Sequence, residues 1–585
     1  MGRALWRLLK SDRAIVTKRR SLTGSRLPLA VVILCLSAPV AAGLAGTILP
    51  AFGYLPAIGA MSFSLDPVRA VLSAPGMMTS LALSLLTGLA ATLISLALVL
   101  LFTASWIGTR VFGFISRFLS PLLSVPHAAA AFGLAFLIAP SGFVVRLFSP
   151  WATGWDRPPD LLILNDPYGL AMTAGLIVKE VPFLFLMTLA AIPQTRVPQM
   201  MKATANLGIG RIWGFLMVSV PQIYPQIRLP VLAVLAYSTS VVDVAMILGP
   251  TTPAPLAPRI LVWLSDPDPA VRLQASAAAV IQVLLTGFAI LLWIGGERLT
   301  GWVVRRLARR GLRMSKDRAV RQIAFALIGA LIAVTGAGLA IVGLWSVAKG
   351  WWFPDAWPSR ITLSLWRDAF AQNSQSVSGT FVIGAIATIV CTVLVLWLLE
   401  AFIREHRHPG KGLRGMLFLP LLVPQISFLF GLQVLFVIAG LDGTMAAVIL
   451  AHGVFVLPYV FLALSDPWRH LDPRYTRVAA ALGVSNNRIF WTVRLPMLLH
   501  PILVAGAIGF AVSIGQYLPT VMIGAGRITT VTSESIALAS GGNRSLLAVY
   551  AVLQLIMPLI AFTLASAIPA LVHRNRSGLR GLAHH

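Results

Sequence analysis

Residues Arg477–Pro496 read RVAAALGVSNNRIFWTVRLP, a charged and evenly punctuated segment between two apolar runs. Far upstream, Lys202–Pro221 reads KATANLGIGRIWGFLMVSVP and repeats the layout: Gly208 precedes Pro221 by the same interval that separates Gly483 from Pro496. Small residues (Ala203, Ala205, Ala479, Ala480) open each segment and permit close backbone approach. Leu207-Gly208 and Leu482-Gly483 are expected to end a first short helix and turn the chain. A second piece follows, in which Trp213 or Phe490 would anchor in an apolar groove of a partner. Pro221 and Pro496 are expected to break that piece.

The surrounding composition belongs to lipid. Of 585 residues 57% are hydrophobic and 11% charged, against about 25% charged in soluble domains. Mean hydropathy is +0.85. The net charge of +27 lies in short segments between apolar runs, which is the positive-inside pattern rather than a nucleic-acid-binding face. Cys35 and Cys391 both fall in apolar spans and read as small filler, not as a disulfide or metal ligands.

A crossing needs about 20 apolar residues. Twelve candidates run near 28–49, 79–102, 115–139, 167–192, 227–249 and 273–295, then 322–347, 377–399, 414–440, 444–464, 498–523 and 546–572. Basic segments (the N-terminal 1–27, Arg196–Arg228, Arg298–Arg321, Arg404–Arg414, Arg469–Arg494 and the tail 574–585) all fall on one side, the cytoplasmic one, with both termini. Loops such as WDRPPDLLILNDPYG (155–169) fall outside. The expected organisation is a first six-span domain at 28–299, a basic solvated linker at 300–321, and a second six-span domain at 322–573. Six spans per half is an even number, so the halves are parallel repeats in an all-α membrane protein. Other landmarks recur in order: SPLLSVP (Ser120–Pro126) and LPLLVP (Leu419–Pro424), Pro182 and Pro458, STSVVDV (Ser238–Val244) and SIGQYLP (Ser513–Pro519).

The duplicated segment resembles the signature loop of type I permeases of ATP-binding-cassette (ABC) importers: Glu-Ala-Ala, Leu-Gly, then Leu-Pro at the interval seen here. Ala479, Leu482, Gly483, Leu495 and Pro496 match it in the second copy, and Ala203, Leu207, Gly208 and Pro221 in the first. The chain is similar to the fused two-domain permeases of iron(III), thiamine and related uptake. The resemblance implies that each loop docks a separate ATPase subunit, two copies in all, and that a periplasmic binding protein delivers the solute. Lys202 and Arg477 stand where the signature has glutamate, which demands a different partner surface. This chain holds no ATP chemistry of its own: HPGKGLRG (His408–Gly415) lacks the Ser/Thr and upstream glycine of a phosphate loop, so ATP and Mg belong to the partner.

Ionisable residues inside spans are costly and are functional candidates by default. Lys179 and Glu180 in the fourth span point about 100° apart and should pair with other helices, either structurally or as part of a solute path. Asp243 aligns with Gln516, each three residues after a serine (Ser240, Ser513). Fifth spans line the path in the resembled family, and an Asp would suit a cationic solute; interhelical hydrogen bonding is the competing role. His127 has no carboxylate or second His at ligand spacing, and no metal site is expected. A twelve-span ion-coupled carrier also fits the spans but has no use for the duplicated loop. A membrane-embedded enzyme would need a cluster of catalytic groups that the sequence lacks.

Overall fold

The structure, a computed structural model, describes residues 26–405 and 410–574. The basic N-terminal segment and the tail, apart from residues 26, 27 and 574, lie outside the described residues. The described residues are helical almost throughout, with one two-residue strand pair among them joining Ala348–Lys349 to Arg360–Ile361.

The first half runs α1 (Arg26–Ala51), α2 (Met77–Trp106), α3 (Arg110–Leu119), α4 (His127–Ile138) and α5 (Leu170–Ala191). It continues through α6 (Val197–Asn206), α7 (Arg211–Gly214), α8 (Val220–Thr239), α9 (Asp243–Leu248), α10 (Leu256–Leu264) and α11 (Pro269–Arg309). The second half repeats that order: α12 (Arg318–Val347), α13 (Ser364–Arg404), α14 (Lys411–Leu422), α15 (Gln425–Ile438) and α16 (Met445–His470). Then come α17 (Pro473–Ala481), α18 (Asn486–Ile489), α19 (Leu499–Ile514), α20 (Leu518–Gly524), α21 (Val531–Ala539) and α22 (Arg544–Val572). In the last part of each half the register is rigid. Thr239 and Ile514, Asp243 and Leu518, Leu256 and Val531, and Pro269 and Arg544 are element ends that all pair at one constant offset in residue number.

Among the described residues, nine helices are long and apolar enough to cross a membrane, or eleven if two bent pairs each count as one span. The remaining expected span is α8, whose Pro221, Gln222, Pro225, Gln226, Arg228 and Pro230 depress its hydropathy. Both third spans are broken rather than continuous: Pro126 and Pro424 precede α4 and α15, and α14 meets α15 at 91°. Proline disfavours the α region for the residue before it, and here Val125 and Val423 are extended (ψ 122° and 127°).

The fifth spans break too, at Ser240–Val242 and Gly515–Tyr517. Each break frees equivalent carbonyls inside the bundle, where an unpaired carbonyl is costly. Buried Gln282 donates Nε2 to Thr239 O at 3.1 Å, and Thr532 Oγ1 donates to Ile514 O. Different side chains thus solve one problem at matching positions.

The halves exchange their first helices. α1 packs on α15 of the second half, and α12 on α4 of the first. Glycine makes both crossings possible. A Cβ on Gly133 would stand 3.1 Å from the Gly338 carbonyl carbon, and one on Gly46 would stand 2.9 Å from Gly431 Cα. Close backbone approach through small residues is how helices gain packing in lipid.

Candidate functional site

Both repeated segments end the bundle on the same side, each between a fourth and a fifth span. In the first, Gly208 N–H donates to Ala205 O (3.0 Å) and Ile209 N–H to Thr204 O (3.1 Å). In the second, Gly483 N–H donates to Ala480 O (3.0 Å) and Val484 N–H to Ala479 O (3.1 Å). This is the Schellman closure, and it needs a left-handed residue: Gly208 has φ +69° and Gly483 φ +78°.

Lys202, Ala203, Ala205, Leu207 and Gly208 face outward, as do Arg477, Ala480, Leu482 and Gly483; Ala479 is half-buried. Val197 and Thr204 are the buried residues of α6, and Thr204 Oγ1 donates to Met200 O and Met201 O. Trp213 is not an exposed anchor. It is 6% exposed, because α7 turns that face onto α2 and α6. Phe490 is half-buried against Trp468 and Trp491, with centroids at 6.3 and 5.1 Å. The exposed apolar groups are instead Leu207, and in the second copy Tyr475, Val478, Leu482 and Trp491. Sequence alone does not say which side of a four-residue helix meets the bundle.

The prolines behave differently from a simple break. Each follows a five-residue π turn, Phe215–Ser219 or Phe490–Arg494, and the chain continues helical through Pro221 and Pro496. Only the second copy bends, by 73°, at Leu498. π turns of this kind sit where a helix absorbs an extra residue, often at functional sites.

The divider between the halves is solvent-exposed over most of its length but is tethered to the first segment. α11 runs to Arg309 and α12 starts at Arg318, and the connection packs on the first segment. Gly210 N–H donates to Arg313 O at 2.7 Å, and Ile212 N–H to Asp317 Oδ2 at 3.1 Å. Arg211 reaches Ala104 O (3.1 Å) and Ile107 O at the end of α2. Its burial, and then the neighbouring charge of Arg321, lower its pKa.

A cavity of about 700 Å³ runs between the halves. At one end it is lined by Gln194, Asp466 and Arg469, just ahead of the two repeated segments. At its deep end it meets both fifth-span breaks through Ser240, Asp243, Gln516 and Tyr517. Lys179 and Glu180 also line it and diverge. Lys179 Nζ donates to Leu123 O at 2.8 Å, while Glu180 Oε1 lies 3.2 Å from His127 Nε2. His127 therefore has a carboxylate partner, 53 residues away in sequence and so invisible to ligand spacing. Its ring also lies 4.6 Å from that of Tyr237, whose hydroxyl donates to Asp243 Oδ1 at 3.1 Å. One polar cluster thus joins the third, fourth and fifth spans of the first half.

The second half does not repeat this cluster. The common register sets Asp243 opposite Leu518 rather than Gln516, and Glu180 opposite Phe455. Anchoring the alignment on Ser240 and Ser513 shifts it by two positions. Ser513 bonds away from the cavity, 2.8 Å from Nδ1 of buried His452, whose Nε2 lies 3.0 Å from Thr520 Oγ1. Tyr237, Tyr459 and Tyr517 line the cavity with no sequence signal beyond their apolar runs. Among the described residues no three His, Cys, Asp or Glu side chains gather to hold a metal ion.

These features agree with what the chain is similar to. Residues 401–575 match the family described as Binding-protein-dependent transport system inner membrane component. The inner membrane ABC transporter permease protein YnjC of Escherichia coli K12 is 32% identical over 496 residues, 84% of this chain and 88% of that protein. The spermidine/putrescine transport system permease protein PotC of Haemophilus influenzae is 30% identical over 142 residues, 24% of this chain and 52% of that protein. The molybdenum transport system permease protein ModB of Mycobacterium tuberculosis is 29% identical over 145 residues, 23% of this chain and 55% of that protein. Spanning nearly all of one such permease, with both halves built to the same plan, the chain belongs to the inner-membrane permease family of binding-protein-dependent ABC transport systems.

Proposed function

We propose that the protein is the fused permease of an ABC importer, moving a small solute from periplasm to cytoplasm; iron(III), thiamine and polyamines are the candidate solutes. Two copies of a separate ATPase, which uses ATP and Mg, dock on Val197–Asn206 and Pro473–Ala481 and their glycine turns. A periplasmic binding protein delivers solute to the opposite face. The observation that carries this reading is the cavity: it reaches from the paired fifth-span breaks to the end of the bundle that bears both segments. On this reading the cavity opens inward, and the distribution of basic loops assigns both termini to that same cytoplasmic side. ATP-driven approach of the ATPases would push the segments together and open the cavity outward.

In this arrangement Lys179, Glu180, Ser240, Asp243 and Gln516 face the path, and Ser513 supports the wall behind it. The test is a pull-down of tagged protein from detergent, with Gly208→Pro/Gly483→Pro as the control. Proline fixes φ near −65°, incompatible with either turn. The reading predicts an ATPase with the wild type and none with the variant. A monodisperse wild-type protein without any ATPase contradicts it.

A further inference from the structure

The two repeated segments are tied to the second spans of their own halves by different arginines. In the first half, Arg211 caps carbonyls at the end of α2, where a helix leaves C=O groups without donors. The connection between the halves clasps the same turn through Asp317 and Arg313. In the second half Arg494, last residue of the π turn, sets Nη1 2.5 Å from Glu400 Oε1 on α13. In the common register Arg494 stands opposite Ser219, a buried hydroxyl with no hydrogen-bond partner among the described residues, so the first half does not repeat the pair.

Both members of the Glu400–Arg494 pair are 8% exposed. Burying charges costs desolvation, so such a pair sets position more than it adds stability. Arg404 Nε approaches the same oxygen at 2.7 Å from the exposed side. Glu400 Oε2 and Arg494 Nε have no hydrogen-bond partner among the described residues. The Oε1–Nη1 contact therefore carries the tie. Behind it, α13 packs along both α16 and α19, which supply much of the second half's cavity wall.

We propose that Glu400 is a positioning residue of the transport cycle: through Arg494 it makes α13 the strut that converts displacement of the second docking segment into movement of the cavity wall. The inference rests on the reading that the repeated segments dock ATPases. Its test uses the permease–ATPase complex with Cys35→Ser and Cys391→Ala, spin-labelled through Gln194→Cys and Ser465→Cys at the cavity mouth. Distances are read with and without ATP plus vanadate. The expected result is shortening in the otherwise native complex, loss of that shortening in Glu400→Gln with the ATPase still bound, and recovery in the swap Glu400→Arg/Arg494→Glu. Arg404→Gln should shorten normally.

Native-like shortening in Glu400→Gln overturns the proposal, as does a swap that binds ATPase but fails to move. If Glu400→Gln does not fold, Arg494→Lys keeps the charge with a shorter reach, and full shortening there overturns it equally. An ATPase missing from the unsubstituted complex defeats the functional reading and this inference with it. An ATPase present with unaltered movement in Glu400→Gln defeats this inference alone.

Discussion

Gly208 and Gly483 hold the left-handed turns that present Leu207 and Leu482 to solvent, and the basic residues Lys202 and Arg477 lie on the same exposed helices. Where the resembled signature carries an acid, these two cations demand a different partner surface, and an acidic groove on the proposed ATPase is the one that charge reversal tests. Lys202→Glu/Arg477→Glu should then weaken ATPase capture about tenfold or more, most strongly at low salt. Unchanged binding across a salt series would show that the docking is apolar. Inside the cavity, Asp243→Asn should leave ATPase capture intact and lower uptake of a cationic solute about tenfold, the loss of roughly 1.4 kcal/mol of attraction. Equal uptake by Asp243→Asn and wild type, measured in proteoliposomes, would reduce Asp243 to a hydrogen-bond partner of Tyr237.

Much at this scale was legible because it is local: the Leu-Gly turns follow from the chain's own chemistry. His127–Glu180 was not, since nothing in the sequence between these residues, 53 apart, says that the third and fourth spans touch there. Nor was the burial of Trp213, which depends on which face of α7 the bundle covers.

At the scale of elements, the span count was readable from hydropathy and the breaks were not. Pro126 and Pro424 were visible only as landmarks inside spans that hydropathy draws as continuous, and the fifth-span breaks carry no proline at Ser240–Val242 or Gly515–Tyr517. They persist because side chains from elsewhere cap the freed carbonyls. Gln282→Leu should orphan Thr239 O and cost about 1–3 kcal/mol, seen as a lower midpoint in a detergent thermal melt. A melt unchanged from wild type would show that the break needs no cap. The glycine crossings make a sharper demand. Gly133→Leu must displace the Gly338 backbone, at about 1–3 kcal/mol for overpacking, whereas Gly287→Leu, with nothing within 4 Å, should be near neutral. Equal melting of the two variants would contradict the exchanged packing of α4 and α12.

For the whole molecule, exchange of the first helices ties the halves into one body, and the cavity between them is chemically one-sided. The cluster of His127, Glu180, Tyr237 and Asp243 belongs to the first half, while the His452 node of the second half is buried behind the wall. Fusion into one chain permits such divergence, because neither half need serve in both positions. The repeated segments keep the symmetry that the cavity has lost: two glycine turns, two Schellman closures, two π turns. That contrast is the centre of the account. On the proposed function, two like segments would drive one inequivalent path. The most direct measurement is the native mass of the complex captured from detergent for wild type, Gly208→Pro and Gly483→Pro. The account predicts two ATPase subunits on the wild type and one on each single variant. Two subunits retained on either variant, or none on the wild type, would contradict it.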